Sequence, residues 1–520
     1  MTENKKKLAR AAFMIMVATV LSRFAGFFRE IIMANYFGLS PARGAFTVAY
    51  RIPSLLRTLI ADTAITAAFI PVFTQLLAKG DKEEAFKAAS SLFSITVIFL
   101  CIITAASMLF MPFVIKITAP GFSPDEHLFT MTVNLSLIIF PTVVILGMTG
   151  IITGMLNSFQ HFAVPAIAPI LWNFIIIFFL VFYEKKLGIY SAAWGILIAT
   201  VFQLAVQIFP LRGQGKLSFI IDFKNQHVIE ILKLILPVTL SLGVINFNVF
   251  VDTVFASFLG PDRLAAIDSA FRIFHLPMGV FAVAVGTVLF PVFSSLIAKK
   301  DFEKFKPTLI NGISQIFFMT IPVSALFISL SSPIVKTVYE RGAFSPDDTK
   351  LVALALVFFS FGIPFASANT LLNRGFYSLK KNWIPLYLSF INLLLNALLD
   401  WMLMKPFSHG GICFSTSLVS TFNFIGLLFL MRREVGCIKI RDLVKSFLKI
   451  SFISAVMSAC SYVFYNYLFH ITGVFFALFF SIVSGFLIFV FLSWVFKVKE
   501  FKIAKDIFIY KKKEVLISDR

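Results

Sequence analysis

Charge is scarce in this 520-residue sequence: 14% of its residues are Asp, Glu, Lys or Arg, against 59% that are apolar. A soluble domain carries about 25% charged residues, so a water-soluble globular enzyme is excluded. Cysteine is rare as well. Cys101, Cys413, Cys437 and Cys460 lack metal-ligand spacing and three of them lie in apolar segments, which leaves packing as their role. The six histidines, His127, His161, His227, His275, His409 and His470, are dispersed, with none of the histidine–carboxylate clustering that a metal-dependent membrane enzyme would need. No Gly-x-x-x-x-Gly-Lys-Ser/Thr loop occurs, which removes a recognisable ATP motor. The polar stretches are short, so no large soluble domain fits between the apolar ones.

What the sequence has in abundance is hydrocarbon. Mean hydropathy is +0.91, and runs such as 92–111, 132–149 and 474–496 are each long enough for a roughly 30 Å apolar core. About fourteen such segments are predicted, centred near residues 23, 62, 102, 140, 173, 199, 243, 281, 319, 362, 394, 420, 457 and 484. The first carries Arg23 and Arg29 in its interior and lacks a small-residue cleavage site, so it reads as a retained helix.

The net charge of +20 would suit nucleic acid, but its placement argues against that partner. Taking alternate loops as one side, that side holds Lys5, Lys6, Lys7 and Arg10, then Lys299, Lys300, Lys304 and Lys306, then Arg432, Arg433, Arg441, Lys445 and Lys449, and the tail from Lys497 onward. The opposite side has few, among them Arg43, Arg263 and Arg341. This bias assigns the rich side and both termini to the cytoplasm, which an even number of spans satisfies.

The two halves also resemble each other in order, at an offset of about 220 residues. Phe69-Ile70-Pro71-Val72-Phe73 is answered by Leu289-Phe290-Pro291-Val292-Phe293, Gly121-Phe122-Ser123-Pro124-Asp125 by Ala343-Phe344-Ser345-Pro346-Asp347, and Leu156-Asn157 with Pro165 by Leu372-Asn373 with Pro385. The expected architecture is an all-α polytopic membrane protein of two pseudo-symmetric six-helix lobes, 1–222 and 223–436, plus a C-terminal helix pair and basic tail in 437–520. Six helices per repeat gives parallel repeats, a design in which substrate binds between halves.

Arg23, Arg29, Arg57 and Arg272 sit inside these apolar segments. An arginine at the bilayer centre costs roughly 2.5–3.5 kcal/mol by insertion scales, so retaining several points to a bound anion. Guanidinium forks match phosphate oxygens and stay charged. Arg23 and Glu30 share a helix face with Gly26 between them, where a missing side chain suits a kink or a ligand's approach. Arg57 has Asp62 just over a turn later. The alternative is that these arginines only pair with Glu30 and Asp62 or snorkel to the surface. A second cluster, Asn392, Asn396 and Asp400 at four-residue spacing with Asn248, Asp252 and Thr416, offers oxygen ligands. It suits a sodium or proton site, or equally plain interhelical hydrogen bonding.

The segments Ser22-Arg23-Phe24-Ala25-Gly26-Phe27-Phe28-Arg29-Glu30, Pro53-Ser54-Leu55-Leu56-Arg57, Ala270-Phe271-Arg272 and Gly286-Thr287-Val288-Leu289-Phe290-Pro291 resemble those of the MurJ (MviN) lipid II flippases. These belong to the multidrug/oligosaccharidyl-lipid/polysaccharide exporter superfamily, and the likeness covers essentially the whole chain. The resemblance implies that Arg23, Arg29, Arg57 and Arg272 line a transport cavity. It also implies a sodium site at Asp252, Asn396, Asp400 and Thr416 with the Ile412 carbonyl, and lipid II as the substrate of a monomeric, non-enzymatic transporter in the bacterial cytoplasmic membrane. Some members carry an aspartate where this chain has Gly44, so that carboxylate's role does not carry over; Glu30 stands where aspartate is common. The rival readings are a flippase for another polyprenyl-diphosphate sugar and a sodium-coupled drug exporter. The exporter's cationic substrates would call for cavity carboxylates rather than arginines.

Overall fold

The computed structural model describes residues 3–58, 65–438 and 440–502. Asp62 and part of the expected span around it lie outside them. Every regular element among the described residues is helical, as lipid demands of a chain that must satisfy its own backbone hydrogen bonds. By compactness the chain forms two units, 1–265 with 341–344, and 266–340 with 345–520.

The first unit contains α1 (Glu3–Phe37), α2 (Pro41–Leu56), α3 (Ile65–Ala78), α4 (Lys82–Leu109), α5 (Met111–Thr118), α6 (Glu126–Ile139), α7 (Thr142–Ser158), α8 (Ala163–Leu187), α9 (Tyr190–Ile208) and α10 (Gln226–Ser257). Helix α10 follows the 1–222 repeat in sequence yet packs with α3 and α4. The basic linker before it is tied to α4: the backbone N–H groups of Ser218, Ile220 and Asp222 donate to the hydroxyls of Ser90, Ser94 and Ser91 at 3.0–3.1 Å. Asn225, which caps α10, donates from Nδ2 to Glu84 at 2.6 Å.

The second unit takes most of α11 (Pro261–Pro277), then α12 (Val283–Ala298), α13 (Phe302–Ser329), α14 (Ser331–Tyr339), α15 (Pro346–Ser360), α16 (Ile363–Ser378), α17 (Trp383–Phe407), α18 (His409–Val435) and α19 (Ile440–Val495). Gly473, at φ 76°, divides α19 into two arms; they supply Ile450, Ile453, Met457 and Phe489 to this unit's core beside Phe305, Phe317 and Leu371.

The duplication is visible in local geometry. Asp81 and Asp301 cap α4 and α13, each 28 residues long, at φ/ψ of −86°/68° and −85°/70°. In the cores, Phe73 meets Phe86 edge-on at 6.0 Å and Phe293 meets Phe305 edge-on at 5.2 Å. Helices α8 and α17 are both 25 residues and end at Gly188 and Ser408, with φ/ψ of 54°/−136° and 52°/−138°.

By length and composition, nine helices among the described residues can cross a membrane, or ten if α15 and α16, bent by 47°, form one broken span. Helix α19 counts once there despite its break at Gly473. The predicted segments near 23 and 243 correspond to α1 and α10. The chain is a multi-pass membrane protein close to the expected span number.

Candidate functional site

In the first unit, two of the expected arginines meet on one aromatic side chain. The guanidinium of Arg29, in α1, lies 5.1 Å from the ring centroid of Trp172 in α8, and that of Arg57 lies 5.5 Å from the same ring. Both distances fall inside the roughly 6 Å range of cation–π attraction. Trp172 is buried and fixed by its indole N–H, which donates to the Thr200 hydroxyl at 3.0 Å. Thr200 in turn donates to the Ile196 carbonyl at 2.7 Å, so α9 braces the ring from behind.

Arg57 stands at the end of α2 in a widened turn, where its N–H is shared between the carbonyls of Pro53 and Ser54. Pro53, which lacks an N–H of its own, loosens the preceding helical ladder. The matching Pro277 in the other half is likewise followed by a π-helical turn, Met278–Ala282.

Arg23 lies six residues before Arg29, about 9 Å along the helix axis. It is exposed on the wall of a cavity of about 820 Å3, together with Ser22, Thr74, Asn157, Gln160 and Pro169. Asn157 and Pro165, singled out by the internal repeat, both line it. Gly26 faces Asn173, the neighbour of Trp172; a Cβ added there would meet Asn173 Oδ1 at 3.6 Å, an ordinary contact. Sterics therefore do not require glycine at 26 in this structure. Asn173 itself is buried, donates to the Pro169 carbonyl at 2.9 Å and has no hydrogen-bond partner for Oδ1 among the described residues.

Glu30 points elsewhere. It is 4% exposed and accepts from Arg43 Nη2 at 2.6 Å, while Arg43 Nη1 donates to the Gly38 carbonyl at 2.9 Å. Arg43, 2% exposed, is thus a buried clamp across the turn between α1 and α2. One residue on, Gly44 abuts Pro261, and a Cβ there would collide with the proline's ring and carbonyl. In this conformation no side chain fits where some family members carry aspartate.

Arg272 belongs to the second unit and forms an ion pair with Asp268 one turn earlier on α11, Nη2 to Oδ2 at 2.9 Å and Nε to Oδ2 at 3.3 Å. Its side chain is 32% exposed.

The polar stripe of α17 meets α18. Asp400 is fully buried and accepts from Asn396 Nδ2 at 3.1 Å. Ser415 donates to the Asn396 carbonyl at 3.2 Å, Thr416 to the Ile412 carbonyl at 3.2 Å, and Asn392 Nδ2 to Asn423 Oδ1 at 2.8 Å. Asn396, Asp400, Ile412 and Thr416 therefore lie on two adjoining helices, whereas Asp252 stands on α10 in the first unit. The donor set on α17 and α18 is entirely oxygen and includes a buried carboxylate, which fits a hard monovalent cation. Among the described residues, no group of three His, Cys, Asp or Glu side chains could hold a metal ion.

Residues 33–484 match the family described as lipid II flippase MurJ. The chain belongs to the MurJ family. It is 31% identical over 428 residues to a probable lipid II flippase MurJ of Buchnera aphidicola subsp. Schizaphis graminum, covering 82% of this chain and 83% of that protein. It is 27% identical over 439 residues to the lipid II flippase MurJ of Burkholderia cenocepacia, covering 82% and 84%. Among solved structures it superposes on an inward closed MurJ with a TM-score of 0.81 at 27% identity, covering 93% of this chain and 98% of that one. An inward-facing multidrug resistance MATE transporter of the MOP superfamily shares the fold at 14% identity, with a TM-score of 0.68 over 83% of this chain and 99% of its own.

Trp172, Thr200, Arg43, Asp268 and Ser415 were not singled out by the sequence pattern. Only Asp268 carries a readable signal, its four-residue spacing from Arg272.

Proposed function

We propose that this protein is a lipid II flippase: it moves the undecaprenyl-diphosphate-linked disaccharide-peptide from the inner to the outer leaflet of the bacterial cytoplasmic membrane by alternating access. The observation that carries the reading is the convergence of Arg29 and Arg57 on Trp172. Two permanently charged forks held at one buried ring concentrate positive potential in a low-dielectric setting, which a diphosphate complements at bidentate geometry. Arg23, on the cavity wall about 9 Å along α1, extends that potential toward the side the basic loops mark as cytoplasmic, where the substrate loads.

The residues bind and release without forming a covalent bond. Work comes from the membrane potential, which favours outward movement of an anion by about 2.3 kcal/mol per charge per 100 mV when the interior is negative. Asn396, Asp400, Thr416 and the Ile412 carbonyl would hold a sodium ion, whose charge offsets the burial of the Asp400 carboxylate. The termini face the cytoplasm and the chain works as a monomer.

The test is depletion of the native protein in cells, with labelling of lipid II accessible on the outer face. Wild type restores the label; Arg23→Ala and Arg272→Ala insert at wild-type level and do not. Unchanged outer-face lipid II on depletion would overturn the function, and restored label with Arg23→Ala would overturn the arginine assignment.

A further inference from the structure

A basic recess of the second unit is lined by none of the four arginines. A cavity of about 740 Å3 opens between the first turns of α13, the start of α19 and residues 497–500. Five lysines line it, Lys306, Lys445, Lys449, Lys497 and Lys499. Its acids are Glu303, Asp442 and Glu500, and two of these are already engaged. Glu303 takes the Lys306 ammonium at 2.8 Å, and Glu500, 6% exposed, accepts from the Ser446 hydroxyl at 2.5 Å. Lys445, Lys497 and Lys499 remain exposed at the rim. Such a recess suits a phosphate group.

Its surroundings say where that phosphate comes from. All three contributing segments belong to the lysine-rich side of the chain. Beside Lys445 and Lys449, one residue earlier in each turn, Val444, Leu448 and Phe452 form an apolar stripe along α19 that is 48%, 60% and 59% exposed. On a helix, positions four apart share a face, so the ammonium row and the apolar row run side by side. Trp494, 60% exposed, stands three residues before Lys497. An apolar stripe continuing from a cationic recess is the profile of an amphiphile's head and tail, and basic pockets between spanning helices recognise anionic lipid headgroups.

We infer that this recess binds the headgroup of an anionic membrane phospholipid, with an acyl chain lying on Val444, Leu448 and Phe452. The site uses none of the flippase arginines, so it stands or falls independently of the proposed transport activity.

The experiment is native mass spectrometry of the full chain in detergent, titrated separately with phosphatidylglycerol, phosphatidylcholine and inorganic phosphate. Phosphatidylglycerol is expected to bind, with phosphatidylcholine and inorganic phosphate far weaker. Lys445→Gln with Lys449→Gln and Lys497→Gln should lower its affinity about fivefold per lysine removed, and Leu448→Gln should weaken the lipid alone. Lys299→Gln with Lys300→Gln, a two-charge change outside the recess, should leave binding unchanged. If the triple variant proves unstable, Lys445→Gln alone carries the test, since its side chain is exposed. Unchanged affinity in the recess variants, an equal loss in the Lys299/Lys300 control, or inorganic phosphate binding as tightly as the lipid would each overturn the inference.

Discussion

Replacing Trp172 with leucine tests the anion site at its centre without touching a charge. Two guanidiniums lie within 6 Å of this ring, at 5.1 and 5.5 Å. Each such contact contributes about 0.5–1 kcal/mol when exposed and about 2 when desolvated. Losing both removes about 1–4 kcal/mol of the force that aims Arg29 and Arg57 at a common point. If that aim is what binds the diphosphate, lipid II affinity falls by about fivefold at least and several hundredfold at most. The indole also donates to Thr200 at 3.0 Å, an interaction of about 0.5–1.5 kcal/mol, so two companions separate the causes. Thr200→Val removes the hydrogen bond and keeps the ring, and should bind within a few-fold of wild type. Trp172→Phe keeps a weaker ring without the N–H and should fall between. Affinity is read by microscale thermophoresis on purified protein in detergent, and outer-face lipid II labelling in depleted cells should follow the same order. A Trp172→Leu protein that binds lipid II within twofold of wild type would refute the idea that the ring organises the arginines.

Three further perturbations follow from the same geometry. Glu30→Ala takes the carboxylate from a guanidinium only 2% exposed and should cost about 3–5 kcal/mol, lowering the thermal midpoint in detergent; an unchanged midpoint would mean that Arg43 is not held by this pair. Gly44→Ala drives a methyl into Pro261 and should destabilise this conformation by about 1–3 kcal/mol, whereas Gly26→Ala, with only an ordinary contact to Asn173, should be near neutral; equal midpoints for the two variants would contradict the packing described. Sodium should stabilise the wild-type protein by about 2.7 kcal/mol at a hundredfold excess over its dissociation constant and so raise its thermal midpoint, and Asp400→Asn should abolish that response; a sodium-independent wild type would remove the cation from the proposal.

The fold was readable in the sequence because hydropathy and duplication are both one-dimensional signals. Pairs such as Phe73 and Phe293, or Asp81 and Asp301, occupy the same structural slots because the same local rules act twice. The arginines were readable for a related reason: a charge in an apolar run is conspicuous wherever it points. Their partners were not. A tryptophan in a spanning segment ordinarily marks packing or an interface, and nothing in the sequence around Trp172 shows that α1 and the end of α2 both face it. Arg43 reads as a loop charge because it follows a Ser40-Pro41 turn, yet α2 begins at that turn and carries Arg43 back against Glu30. Counting loop charges sorts sides of a membrane and says nothing of burial. Glu30 shares a face with Arg23 by spacing, but it pairs with Arg43 of the next helix, which periodicity within one helix cannot reveal.

The matched helices α8 and α17 show what duplication left free to change. They have equal length, begin 220 residues apart at Ala163 and Trp383, and end in nearly the same backbone conformation at Gly188 and Ser408. Their registers can therefore be compared residue by residue. Trp172, the ring that gathers two arginines, corresponds to Asn392; Ile176 corresponds to Asn396 and Leu180 to Asp400. All six side chains are buried. One copy spends this face on an aromatic platform continued by aliphatic packing, and the other on a stripe of amides ending in a carboxylate. An indole face attracts cationic side chains and so helps assemble an anion site; buried amide and carboxylate oxygens attract cations. The same helical frame thus supplies opposite electrostatic preferences in the two units, through substitutions at three positions on one face. Arg29 and Arg57 meet Trp172 in the first unit and the buried carboxylate Asp400 belongs to the second, while Arg272 and Asp252 do not follow that division. On the proposed function, the duplicated scaffold would carry an aromatic platform for the anion's arginines on one copy of this face and oxygen ligands for a cation on the other.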